Sequence, residues 1–198
     1  MIFALVPLAV LVFLWASLRF GAAVRAVDHT HANIDTIVDA RSAMRQSREA
    51  LHAWLRTGDP EQLAAYKAGA DTAWRQAWKF KENTLDNSRQ VVNAERFENR
   101  LGETFKLGDA LIAENRAGHP RDAQARVAAE DATNDGLRKA IGEVVDEERR
   151  QLAMHEATLA ASVRTVQVVA VVFGALMLLL AYRSWIRIEA VLALGERR

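Results

Sequence analysis

Residues 51–66 read LHAWLRTGDPEQLAAY, and this stretch decides the fold. It holds the end of one helix and the start of the next. Gly58 suits the left-handed position that closes a helix. Asp59 is a good N-cap, and Pro60 fits the first helical position, where a backbone N–H is not needed. Thr57, Gly58, Asp59 and Pro60 are therefore predicted to form a structural turn between two helices.

Two more joints lie further along. Asn87-Ser88 is a weaker signal, and Gly118-His119-Pro120 repeats the glycine-then-proline order. The segments between the joints run to roughly 37, 27, 30 and 43 residues and are rich in Ala, Leu, Arg, Glu and Gln, all good helix formers. With 3 prolines and 10 glycines in 198 residues, a turn-rich β fold has little material to draw on. Long helices joined by short turns predict an all-α, antiparallel, up-and-down four-helix bundle.

Apolar seams can be traced at three- and four-residue steps. The first helix offers Ile34, Ile37, Met44, Leu51 and Leu55, with Arg41 and Arg48 in the same frame. The second offers Leu63, Tyr66, Ala70, Trp74, Trp78 and Leu85, and the third Phe97, Leu101, Phe105 and Ile112. The fourth offers Leu137, Ile141, Val144, Leu152, Leu159 and Val163, interrupted by Glu148 and His155.

The ends of the chain differ from its middle. Ile2–Leu18 and Thr165–Tyr182 carry no charged side chain. At ~1.5 Å per residue each spans roughly 26 Å, enough to cross most of a bilayer core. Trp15 and Tyr182 sit near the segment ends, where amphipathic rings favour the interface. The expected organisation is transmembrane helix 1 over 1–19, the bundle over 20–164, transmembrane helix 2 over 165–182 and a short cytoplasmic tail over 183–198. A cleaved signal peptide is the rival reading of the first segment, but the positive n-region is missing. The tail holds Arg183, Arg187, Arg197 and Arg198 against two glutamates. Short arginine-bearing tails stay inside, so a two-pass protein of a bacterial cytoplasmic membrane is predicted, with both termini cytoplasmic and residues 20–164 outside.

Composition removes several function classes. There is no cysteine, so no disulfide framework and no thiolate chemistry. A net charge of +1 gives no footprint for nucleic acid. No nucleophile elbow, His-Glu-x-x-His or P-loop is present. Glu147 and Glu148 are adjacent, so on a helix they diverge and do not make an acid/base pair. The chain is read as a non-enzyme with no cofactor.

Trp54-Leu55-Arg56-Thr57-Gly58-Asp59, followed by Leu63 and Tyr66, resembles the Tyr-Leu-Leu-Thr-Gly-Asp…Leu…Tyr turn of the third class of CHASE extracellular sensor domains. Gly136-Leu137-Arg138…Ile141…Glu147-Glu148-Arg149-Arg150-Gln151-Leu152 resembles the last helix of the same family. The family's Arg-Gly before the aromatic residue is replaced here by His52-Ala53. The resemblance covers roughly residues 20–160 and implies a four-helix sensor bundle of the kind found on bacterial histidine kinases, chemoreceptors and diguanylate cyclases. A chemoreceptor-type ligand-binding bundle is the neighbouring possibility.

The 16 residues after Tyr182 hold no phosphorylatable His motif, no Gly-rich nucleotide loop and no Pro-marked HAMP entry. The expected partners are the bilayer, a second copy in a homodimer, and a downstream cytoplasmic signalling domain or separate partner protein. Two functions compete: a membrane-bound sensor module that relays an outside cue through its first and fourth helices, and a non-sensing scaffold that binds another membrane protein.

Candidate site residues carry double readings. Arg41 and Arg48 on an apolar seam are expected to need partners. An ion pair of Arg41 with Glu143 or Glu147, at similar height on the fourth helix, is the structural reading; binding an anionic ligand is the functional one. Trp54, Tyr66, Trp74 and Trp78 are core aromatics or, alternatively, a ligand pocket. His29, His31 and His155 have metal-ligand chemistry, but His-x-His on a helix points its two rings about 200° apart; solvated histidines with no metal are expected.

Overall fold

The glycine joints form as their residues require. Gly58 has φ +71°, and its N–H closes the first helix on the Trp54 carbonyl at 2.8 Å. The Asp59 side chain then accepts from the Glu61 N–H at 2.9 Å, with Pro60 in the first turn. Asn87 caps the third helix, its Oδ1 accepting from the N–H groups of Arg89 and Gln90. Gly118 has φ +81°; His119 of that joint lies outside the described residues. The computed structural model describes residues 2–85, 87–118 and 120–195. Their helices are α1 (Ile2–Thr57), α2 (Pro60–Asn83), α3 (Ser88–Arg116) and α4 (Pro120–Gly195).

The chain divides into two units, His29–Leu152 and a second made of Met1–Asp28 with Ala153–Arg198. In the first, all four helices feed one core. Ile37, Ala40 and Ala43 of α1 pack with Ala73, Ala77 and Phe80 of α2, Ala94, Phe97 and Leu101 of α3, and Leu137, Ile141 and Val144 of α4. A second cluster, Ala50, Leu51, Trp54, Tyr66, Leu111 and Ile112, fills the end near the Gly58 turn. Cross-helix bonds show that neighbours run antiparallel. Ser47 Oγ donates to the Tyr66 carbonyl, while Asn83, later on α2, reaches back to Asn33. Likewise Arg89 and Arg96 of α3 pair with Glu147 and Glu143 of α4, in reverse order.

The second helix corrects one expected seam. Trp74 and Trp78 lie on its exposed side, Trp78 at 63% exposure, and the buried positions are Tyr66, Ala73, Ala77 and Phe80. The cause is a close helix crossing. A methyl group on Gly69 would stand 2.7 Å from Ser47 Cβ and 3.0 Å from the Ala43 carbonyl oxygen. Where backbones approach this closely only small side chains fit, so alanines take the core face and tryptophans are turned away.

Two buried polar levels cross the bundle. At one, Glu148, 1% exposed, accepts from Gln90 Nε2 at 2.8 Å and from Asn33 Nδ2 at 3.4 Å. Asn83 donates to Asn33, so all four helices share this network. At the other, Glu130, also buried, meets Arg48 Nε at 3.4 Å and His52 Nε2 at 2.8 Å. Arg48 also pairs with Asp131. Glu130 and Glu148 are separated by about five helical turns, which returns them to the same side of α4.

In the second unit the apolar segments are exposed along most of their length, including Leu11, Leu14, Leu18, Val171, Leu178 and Tyr182. Ala16 and Ala23, one heptad apart, are buried. The Arg19 guanidinium lies 5.1 Å from the Trp15 ring centre, a cation–π contact. Among the described residues, two helices are long and apolar enough to cross a membrane. The apolar segments are parts of α1 and α4, continuous with the bundle helices, as the lack of helix breakers between them leads one to expect. No helix break occurs at 19/20 or 164/165, because no proline or glycine pair interrupts the helix formers there.

Candidate functional site

Within the bundle unit, α1 and α4 leave a groove between them. On α1 it is lined by Val38, Arg41, Ser42 and Arg45, spaced i, i+3, i+4, i+7, with Met44 and Arg48 beside them. On α4 it is lined by Asn134, Leu137, Arg138 and Ile141 in the same spacing. That spacing puts each set on one helical face. The groove holds about 450 Å³, within the usual range of small-molecule sites. Leu137 and Ile141 are held in place by the core cluster and Met44 packs against it, so the floor is apolar and fixed.

The rim is cationic. Arg48 is neutralised by Glu130 and Asp131. Among the described residues Arg138 pairs with Asp135 alone, an exposed contact at 3.4 Å one turn away on the same helix, and such pairs are weak. Among the described residues, Arg41 and Arg45 have no carboxylate within ion-pair distance. Asn134 is 8% exposed, and its Nδ2 is buried without a hydrogen-bond partner. A buried amide donor left unsatisfied costs free energy until an acceptor arrives. An apolar floor, spare guanidinium groups and an orphan donor together suit an anion with an apolar body.

Arg41 and Arg48 are therefore brought together, as lining residues of one groove. The expected ion pair of Arg41 with Glu143 or Glu147 does not form. Arg96 Nη1 donates to Glu143 at 2.6 Å, and Glu147 pairs with Arg89, at 3.6 Å, and with Arg150. Equal height set Arg41 beside these carboxylates, but height leaves the direction round the helix open, and this side of α4 faces α3. The aromatic candidates scatter. Trp54 and Tyr66 are core residues of the cluster near the Gly58 turn. Trp74 lies on the outer side with its ring 6.5 Å from Phe105, and Trp78 is exposed.

The Tyr66 hydroxyl donates to Asp109 at 3.3 Å. Burial first, and the Asp109 carboxylate second, raise its pKa above the ordinary 10.0. His29 and His31 are exposed residues of the bundle unit, and His155 belongs to the other unit. Among the described residues no group of three or more His, Cys, Asp or Glu could hold a metal. Five lining residues were not singled out by the sequence: Val38, Ser42, Arg45, Asn134 and Arg138. The run Arg41, Arg45, Arg48 at i, i+4, i+7 carried a signal for Arg45. Nothing in sequence marked Asn134, whose significance is its missing partner.

Comparison with known families matches the CHASE3 domain to residues 23–158. No curated protein and no solved structure matches the chain. The matched span covers more than half of the chain and contains the whole bundle unit with its groove. On that extent the chain belongs to the CHASE3 domain family, sensor-type extracellular domains of signal-transduction proteins rather than catalysts.

Proposed function

We propose that the chain is a membrane-bound sensor module that relays an outside cue across the bilayer through α1 and α4. One observation carries this reading. The two helices that line the groove, α1 and α4, are the same two that contain the apolar segments. A continuous helix is stiff, so a shift imposed on its bundle part persists along its length. The α2–α3 hairpin contributes core and no apolar segment. The cue acts on the bundle, and both termini lie in the cytoplasm, where a signalling domain or partner protein receives the movement. The working unit is a homodimer, which places the membrane helices around a symmetry axis.

The chain has no cysteine, so single introduced thiols report without background. Lys67→Cys in α2 is expected to react with a membrane-impermeant maleimide on intact cells. Arg187→Cys is expected to react only after permeabilisation. The reverse pattern overturns the topology. For the relay, nitroxides at Leu11→Cys and Leu178→Cys in bilayer nanodiscs are expected to change their separation when Arg48→Ala loosens α1 from α4 in the bundle. A distance distribution identical in the two backgrounds overturns the relay.

A further inference from the structure

We infer that the α1–α4 groove is the input site and that it takes a small organic dicarboxylate with a hydrocarbon spacer. This rests on the reading of the bundle as a sensor, and it adds the chemistry of the cue. Three independent features converge on that ligand class.

The first is charge. Arg41 and Arg45, one turn apart on α1, are the rim cations with no carboxylate within ion-pair distance among the described residues. Arg48 is already committed to buried Glu130. Arg138, across the groove, is held only by an exposed neighbour and can be recruited at little cost. Cations thus stand on both walls, so an anion at each end of the ligand is matched better than a single one. Guanidinium groups bind carboxylates in a two-pronged geometry. The second is the Asn134 amide, 8% exposed, lining the groove and lacking a partner. Turned toward the groove, this amide would be satisfied by a ligand oxygen. The third is the floor of Met44, Leu137 and Ile141, which offers a hydrocarbon chain a fixed apolar bed. A neutral sugar would leave the arginines unmatched. Inorganic phosphate would leave the floor wet.

The test uses the full chain in phosphatidylcholine nanodiscs, with suberate as probe and its monoamide and diamide as controls. Binding is read directly by calorimetry and by the melting temperature, so it does not depend on any relay. Suberate is expected to bind and to raise the melting temperature, the monoamide to bind more weakly, and the diamide not to bind. Arg41→Ala/Arg45→Ala is expected to weaken suberate binding by about tenfold or more, and Asn134→Leu to weaken it as well. Both arginines are exposed, so the unliganded melt of that double variant should match the parent and separate lost binding from lost folding. Affinity should fall as salt rises. No suberate binding, equal binding of the diamide, or unchanged binding in the double arginine variant overturns the inference. Loss of suberate binding on adding phosphatidylglycerol also overturns it, because a lipid headgroup would then be the occupant. If suberate binds while the thiol-labelling topology is reversed, the site stands and the sensor orientation falls. If the topology holds and nothing binds, the ligand assignment alone falls.

Discussion

Gly69 of α2 sits so close to Ser47 of α1 that a single added methyl would stand 2.7 Å from the Ser47 Cβ and 3.0 Å from its Cα. Neither neighbour is the flexible end of a side chain, so relief requires the helices to separate. In an ordinary helix interior, glycine to alanine gains about 1 kcal/mol. Here the clash reverses the sign: Gly69→Ala is expected to lose about 1–3 kcal/mol. Gly142 of α4, with open space where its Cβ would be, provides the contrast, and Gly142→Ala is expected to be neutral or to gain up to about 1 kcal/mol. Urea titration of both variants checks this; equal effects would show that the crossing is not tight.

Tyr66 predicts an alkaline limit. Its folded pKa is raised above the ordinary 10.0 by burial and by Asp109. The folded state therefore holds the proton more tightly than the unfolded state. The associated stability is fully present below pH 10 and is lost as pH rises from there toward the folded pKa. Tyr66→Phe removes the group, so the stability difference between parent and variant should shrink above pH 10 and stay constant below it. Denaturant midpoints across that range check the prediction.

Arg48 and Glu130 form a clasp with a partly buried charge. Removing Arg48 leaves the Glu130 carboxylate inside, with His52 its remaining partner among the described residues. Arg48→Ala is expected to cost about 2–4 kcal/mol. Replacing both members, Arg48→Met with Glu130→Met, is expected to restore most of that loss, because apolar pairs of similar volume often substitute for buried ion pairs. A double variant no better than the single one would mean that packing of Arg48, not its charge, is what matters.

Glu148 is the acceptor shared by Asn33 and Gln90. Glu148→Ala strands two amide donors and is expected to cost about 2–4 kcal/mol. Glu148→Gln keeps an acceptor oxygen and should cost about 1 kcal/mol or less. Thermal melts of the two variants check it; equal losses would assign the role to the negative charge.

Much of this architecture could be read from residue order because turn chemistry is local. Gly58, Asp59 and Pro60 act on their own backbone, and so does Asn87, so no tertiary knowledge is needed to place those joints. The frame of α2 was not readable in the same way. Trp74 and Trp78 advertise themselves as core by size, yet the helix crossing at Gly69 favours Ala73 and Ala77 inside. Which residues are small enough for a close approach is decided by the partner helix. The groove was half legible. Arg41 and Arg48 stood out as cations on an apolar seam, but their relation to Glu143 and Glu147 depended on which way α4 is turned. Asn134 was invisible because an orphan donor is defined by what surrounds it.

The groove lies between Glu130 and Glu148, two buried carboxylates of α4. Its α4 lining, Asn134 to Ile141, falls between Glu130 and Glu148, and its α1 lining, Val38 to Arg48, falls between Asn33 and His52. The cavity is thus a bay flanked at both ends, its α4 lining stopping one turn short of Glu130 and two turns short of Glu148, and these moorings bound the length a guest can take without disturbing them. Such a bay sorts guests by how long they are before it sorts them by how wide they are. A guest that fits leaves both moorings tied, whereas an overlong one must unfasten a buried carboxylate to enter. In a homologous series of chain lengths, affinity should accordingly peak and then drop sharply instead of climbing with each added methylene.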